Sequence, residues 1–228
     1  MTPRYLSISI VALHCLLPSY AQAPLQNPLE IAIKFLPPST KLAETYKLDA
    51  KTRSATEREP AVLAGHFLSA RSEDIAFAYY TPASSPDHEK CFFVALLHKS
   101  SSGYVKLWEQ SFYSEGFITP QAMRLIKVSR EHPDLLAVVT GLGASVGGRL
   151  RVFRWDATWG FTNVAPENQG GHQFDFSQSE KGPRVTVSFE KYPGDTGARP
   201  PVTYSWDGKK LLETHLPGNR AECPTCPH

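Results

Sequence analysis

Short apolar runs separated by turn residues make up most of the chain. The runs at 91–97, 135–140 and 185–189 are rich in Val, Phe and Leu, and Gly, Pro, Ser and Asn surround them. Runs of this length and composition are typical of β-strands rather than helices. The pattern predicts an all-β domain over residues 61–216.

A tryptophan followed by an acidic residue ends a strand-like stretch three times, at Trp108, Trp155 and Trp206. The spacings are 47 and 51 residues, and a period near 50 with several strands per unit is the signature of β-propeller blades. Three blade-like units are predicted: 61–118, 122–166 and 172–216. An antiparallel β-sandwich is the alternative. Three units do not close a ring by themselves, so an open stack, or closure on oligomerisation, is also expected.

The N-terminal region, 24–60, differs from these units. Apolar residues alternate with polar or small ones at Leu29, Ile31, Ile33 and Phe35. This period of two predicts a strand, which Pro37 would end. Residues 49–60 are polar and charged and are expected to form an exposed loop. At the other end of the chain, residues 217–228 lack apolar periodicity and are expected to form an extended tail.

Residues 1–23 have the layout of a secretory signal peptide. Arg4 supplies the positive charge, residues 8–17 supply a short apolar core, and a small-x-small cleavage site ends at Ala23. The apolar core is too short for a membrane span. We therefore expect an exported protein, periplasmic or extracellular. Lipidation at Cys15 is the alternative, although the residues before it are not the small ones that a lipoprotein cysteine follows.

The segment from residue 65 to residue 76 resembles the integrin-type FG-GAP, or VCBS, repeat of β-propellers. The matching residues lie at their expected offsets: Gly65, Phe67, Asp74, Ile75 and Ala76. The second unit retains Asp134-Leu135 at the Asp-Ile position of the motif, and the third retains Asp175-Phe176. The resemblance implies a propeller-like β-repeat fold.

The calcium ligands of that family are missing from this chain. Where the family has carboxylates, between the glycine and the Asp-Ile step, the sequence has His66, Leu68 and Ala70. Because a hard cation needs several oxygen ligands from one loop, we predict no calcium site here and no other metal or cofactor. Asp74 is expected to cap the turn that enters the strand, and backbone hydrogen bonds alone are expected to shape the loop.

Composition and motifs exclude several classes of function. The 228 residues carry 24 Lys plus Arg against 22 Asp plus Glu, and this net charge of +2 gives no reason to expect a nucleic-acid partner. No later stretch approaches the ~20 apolar residues of a membrane span. The chain has no H-E-x-x-H, and its one G-x-S-x-G, around Ser145, is followed by a strand-like stretch rather than by the helix that a nucleophile elbow needs, so no catalytic residues are predicted.

Three cysteines remain after cleavage, which is an odd number for an oxidising compartment. Cys223 and Cys226 form a C-x-x-C motif in a proline-rich tail, and we predict a local disulfide between them. Metal capture together with His228 and redox activity are the alternatives. Cys91 opens an apolar run and is expected to be a buried, inert core residue.

The glycine-rich segment at 141–148 is expected to form a flexible hairpin loop, and if the chain binds a small ligand, this loop is where we expect it to bind. A strand-like stretch rather than a helix follows this loop, so it is not a phosphate loop. Ser145, Arg149 and Arg151 are the candidate binding residues, because loops on rigid sheets carry function. The sequence thus predicts an exported, non-enzymatic protein that binds a protein or a glycan. An exported hydrolase or other enzyme on the same scaffold is the alternative.

Overall fold

The fold was obtained as a computed structural model, and strands dominate it. Strands hold 63% of the described residues and the one helix among them is short, so the chain is all-β, as predicted. The structure describes residues 27–46, 58–82, 91–113, 120, 122–141, 147–166, 170–171, 173–188 and 200–214. Within these ranges no helix is long and apolar enough to cross a membrane.

The elements follow one another along the chain in this order: α1 (Pro28–Lys34), β1 (Lys41–Leu42), β2 (Glu44–Tyr46), β3 (Arg58–Pro60), β4 (Val62–Gly65), β5 (Asp74–Tyr80), β6 (Cys91–Ser100), β7 (Gly103–Tyr113), β8 (Ala122–Ile126), β9 (Leu135–Gly141), β10 (Gly148–Asp156), β11 (Gly160–Asn163), β12 (Gly170–Gly171), β13 (Gln173–Ser179), β14 (Gly182–Ser188), β15 (Val202–Trp206) and β16 (Leu211–Thr214).

Three four-stranded antiparallel meanders follow one another along the chain. The first sheet contains β4 to β7, the second β8 to β11, and the third β13 to β16. Each lies within one of the three predicted units, and none of the sheets closes on itself. β1 pairs with β5, β12 pairs with β10, and β2 pairs with β3. Residues 58–60, which were predicted to lie in a loop, therefore form a strand.

The sheets are stacked face to face, with the second sheet in the middle. Alternate residues of β9 face opposite neighbours, so that Leu136 and Val138 pack against the first sheet while Leu135 and Ala137 pack against the third. All seven residues of β9 are buried. A strand that is covered on both faces needs a continuous apolar run, which explains why residues 135–140 lack alternation.

The two outer faces of the stack differ in character. Helix α1 packs on the outer face of the first sheet, where Ile31 and Ala32 join a buried cluster with Phe77. The outer face of the third sheet is polar instead. One row of cross-strand neighbours on that face crosses all four strands through Asp175, Thr186, Thr203 and Thr214. Among the described residues, the third sheet therefore presents a hydrophilic outer face.

The predicted strand over residues 29–35 is wrong, because Pro28–Lys34 form α1 and Phe35 is its C-cap. Asn27 caps the helix, since its side chain accepts a hydrogen bond from the Leu29 N–H at 3.1 Å. The alternating pattern also places Ile31 and Phe35 four residues apart, and therefore on one helical face. Ala32 is buried beside Ile31, although a strand would have pointed these two neighbours in opposite directions.

The tryptophans mark equivalent positions in only two of the three units. Trp155 and Trp206 lie in the third strand of their sheets, whereas Trp108 lies in the fourth strand of the first sheet. Trp108 nevertheless joins the same core as Trp155. Both indoles meet the ring of Phe161 edge-on, with centroid distances of 5.0 and 5.6 Å. The strand that carries the tryptophan is therefore the fourth in the first unit and the third in the second.

Candidate functional site

A buried carboxylate shapes the loop between β4 and β5, which carries the FG-GAP-like motif. Asp74 accepts hydrogen bonds from the Leu68 N–H at 2.9 Å, from the Ser72 hydroxyl at 2.5 Å and from His98 Nδ1 at 2.8 Å. Its side chain is fully buried, whereas that of His98 is 31% exposed. Asp74 thus caps the turn that enters β5, as predicted.

The second sheet holds the same loop through Asp134. The Asp134 carboxylate accepts a hydrogen bond from the His66 N–H at 2.9 Å, and the Asp134 N–H donates to the His66 carbonyl at 2.9 Å. The expectation that backbone bonds alone shape the loop is therefore wrong. Loop N–H groups that have no strand partner need other acceptors, and the two carboxylates supply them. Asp175, the third residue in the predicted series, lies inside β13 and has no such role there.

We expect this loop to bind no calcium. Three protein donors already engage the Asp74 carboxylate, and Ca²⁺ needs six or more oxygen ligands. Among the described residues, no group of three or more His, Cys, Asp or Glu side chains is placed to hold a metal ion. Calorimetric titration of Ca²⁺ into the protein should give no more heat than titration of Mg²⁺ at the same ionic strength. Saturable binding of Ca²⁺ in the micromolar range would contradict this expectation.

Two arginines lie side by side at one end of the interface between the first and second sheets. Arg149 and Arg151 are two residues apart on β10, so their side chains share one face with Cα atoms about 7 Å apart. The guanidinium carbon of Arg151 lies 5.3 Å from the ring centre of Phe112, which belongs to β7. This contact shows that the shared face looks toward the first sheet.

Neither arginine has an acidic partner in the part of the chain that the structure describes. Arg149 Nε is the one buried side-chain nitrogen or oxygen there that lacks a hydrogen-bond partner. By contrast, Arg124 pairs with Glu59 at 3.1 Å. Burial lowers the pKa of the Arg151 guanidinium, and the neighbouring charge of Arg149 lowers it further. Two adjacent, partly desolvated cations destabilise the folded chain unless an anion joins them.

The described cross-strand neighbours of Arg149 differ in size. They are Thr140 on one side and Gly170 on the other, and both share the face of Arg149. The preceding pairs join Gly148 to Gly141 and to Gly171, but these glycines face the third sheet, where Val187 fills the space that a Cβ on Gly171 would need. Glycine lets a ligand approach the backbone closely, because no Cβ stands in the way. Of the described neighbours, Gly170 is therefore the one that leaves room beside Arg149.

The structure brings together two of the three predicted binding residues, Arg149 and Arg151. Ser145 lies outside the described residues, and so do the disulfide candidates Cys223 and Cys226. Their pairing stays a prediction. The prediction that Cys91 is a buried core residue is wrong: Cys91 is free and only partly buried, because it is the first residue of β6.

A cleft of about 300 Å³ lies between α1, the β2–β3 hairpin and β8, and no sequence pattern indicated it. Most of its lining is apolar, and Glu59 is the one titratable residue among the described residues that line it. The Glu59 carboxylate is paired with Arg124 at 3.1 Å.

Comparisons with known proteins add no relative. No protein-family model matches the chain, and a search of curated proteins found no match to it. The resemblance of residues 65–76 to the FG-GAP repeat therefore stays a prediction from the motif residues.

Proposed function

We propose that the chain is an exported, non-enzymatic β-sheet protein that binds a protein or a glycan at the end of the stack where Arg149 and Arg151 lie. Export rests on the signal-peptide pattern of residues 1–23, which lie outside the described ranges. The binding role rests on one observation, the partly buried pair of arginines that has no acidic partner among the described residues.

Such a pair lowers the stability of the free protein, which makes a purely structural role a poor explanation. Replacing a buried, uncompensated charge by an apolar residue of similar volume commonly stabilises a protein. Proteins accept costs of this kind where function needs the group. The arginines also lie beside a hairpin of the rigid central sheet, and ligands commonly bind at loops that a rigid scaffold positions.

The test compares partner binding by two matched variants. The immobilised wild-type protein is screened against neutral and acidic oligosaccharides and against purified exported proteins, and each hit is titrated. We expect the Arg149→Gln/Arg151→Gln double variant to bind at least about 30-fold more weakly, since each charge-assisted hydrogen bond contributes about 1.5–3 kcal/mol. Arg154→Gln is the control, because Arg154 lies on the same strand but on its other face.

Two outcomes would contradict this proposal. One is that the double variant binds its partner as tightly as the wild type does. The other is that no oligosaccharide or protein binds the wild type at millimolar concentration or below. Circular dichroism of both variants should show that the fold is retained.

An exported enzyme on the same scaffold is the second candidate, and the Asp74–His98 pair favours it. Buried Asp74 orients the imidazole through Nδ1, which leaves Nε2 of a partly exposed ring to accept a proton from a substrate. Turnover of ester, glycoside or phosphodiester substrates that is lost in His98→Gln, with the fold intact, would favour the enzyme over the binding protein.

A further inference from the structure

We infer that Arg149 and Arg151 together hold an oxyanion: a carboxylate, phosphate or sulfate group carried by the ligand. The inference rests on the proposed binding function and specifies the chemical group that the ligand presents. Three features of the described part of the site lead to it: a missing acceptor, a double charge without an acidic partner among the described residues, and a glycine beside Arg149 on the same face.

The missing acceptor is at Arg149. A guanidinium carries five N–H donors in a fixed plane, and here the Nε donor is withdrawn from solvent without an acceptor. Nearly all buried polar groups in proteins are hydrogen-bonded, so an orphaned donor needs an explanation. An oxygen of an oxyanion is an acceptor of the right kind, and its negative charge makes the hydrogen bond stronger than a neutral one.

The double charge distinguishes an oxyanion from a neutral ligand. A sugar hydroxyl could accept a hydrogen bond from Arg149 Nε, but it would leave the repulsion between the two guanidinium groups unchanged. An oxyanion between the side chains bonds to both and offsets both charges. The contact of Arg151 with the Phe112 ring holds its guanidinium in place before the ligand arrives. Arginine is also better suited than lysine to an oxyanion, because its planar guanidinium can donate hydrogen bonds to two oxygens at once.

The described neighbours of Arg149 leave space on the side of β12. Gly170, its neighbour on β12, shares the face of Arg149 and carries no side chain that could cover the guanidinium. On the opposite side, the buried Thr140 places a hydroxyl next to Arg149. Among the described residues, a small anionic group therefore finds two guanidinium groups and space on the side of Gly170.

The experiment measures how three anions shift the thermal unfolding midpoint. Sodium phosphate, sodium sulfate and sodium glucuronate are each compared with sodium chloride at equal ionic strength. Phosphate and sulfate stabilise many proteins by exclusion from the surface. The readout is therefore the shift in the wild type minus the shift in Arg149→Gln. Arg149→Lys keeps the positive charge but loses the planar guanidinium that can donate two parallel hydrogen bonds. Arg154→Gln again serves as the control.

We expect at least one of the three anions to stabilise the wild type and Arg154→Gln above the chloride baseline. The excess should vanish in Arg149→Gln and in Arg151→Gln and should be reduced in Arg149→Lys. The anion that gives this arginine-dependent stabilisation indicates whether the ligand presents a carboxylate, a phosphate or a sulfate group. Equal shifts in the wild type and in Arg149→Gln for all three anions would overturn the inference.

Failure of this inference is distinguishable from failure of the proposed function. If a partner binds through the arginines but none of the three anions competes with it, the binding function stands and the oxyanion inference falls. If an anion binds in an arginine-dependent way but no oligosaccharide or protein does, the oxyanion site stands and the proposed function falls.

Discussion

The Asp74→Ala substitution is expected to lower the free energy of unfolding by about 3 kcal/mol relative to the wild type. The substitution removes one fully buried carboxylate that accepts three hydrogen bonds. It leaves the Leu68 N–H, the Ser72 hydroxyl and His98 Nδ1 without their acceptor in a region with little access to water. Chemical denaturation, followed by tryptophan fluorescence, measures the loss.

The matched control for this prediction is Asp156→Ala. Asp156 also accepts two loop hydrogen bonds, from the N–H groups of Thr158 and Trp159 at 2.8 and 3.0 Å, but at an exposed turn. Water replaces the lost acceptor there, so we expect a cost of about 1 kcal/mol or less. Equal losses in the two variants would show that burial of the Asp74 network contributes nothing to stability.

Replacing either of two neighbouring leucines in β9 by alanine should lower the free energy of unfolding by about 3 kcal/mol, which is within the range for a buried Leu→Ala change. Leu136 packs against the first sheet and Leu135 against the third, and both are at most 1% exposed. In an ordinary two-layer sheet protein, one of two consecutive strand residues faces solvent and tolerates truncation. Large losses in both Leu135→Ala and Leu136→Ala are therefore specific to a middle sheet.

Leu107→Ala is the control for the leucine pair, because Leu107 lies on β7 and is 44% exposed. We expect the free energy of unfolding of this variant to be less than about 1 kcal/mol below that of the wild type. A small loss in Leu135→Ala, close to that of the control, would contradict the stacking of the second sheet on the third.

The strands were predictable because each sheet satisfies its own local pattern. The apolar run at 135–140 and the alternation from Arg149 to Phe153 both match their positions in the second sheet. The helix was not predictable from period alone, since seven residues with apolar positions two apart fit a strand and also place Ile31 and Phe35 on one helical face. The Asn27 cap and the proline after it were the signals that favoured a helix.

The site was predictable only as far as neighbours in sequence define it. Arg149 and Arg151 follow a glycine-rich loop, and that alone makes them candidates. Whether an acidic side chain of the described residues meets them depends on how the sheets stack, which no sequence spacing encodes. The same holds for the bond between Asp134 and His66, which are 68 residues apart. Such contacts follow from the packing of whole sheets.

The polar row on the third sheet limits how a chain of this design can grow. A further unit placed after Leu211–Thr214 would press an apolar face onto Thr186 and Thr203, whose hydroxyls would lose water without gaining equivalent partners. A duplicate of the second sheet carries two apolar faces and fits between its neighbours. Gene duplication can therefore lengthen this array at the position of the second sheet more readily than on the polar face of the third.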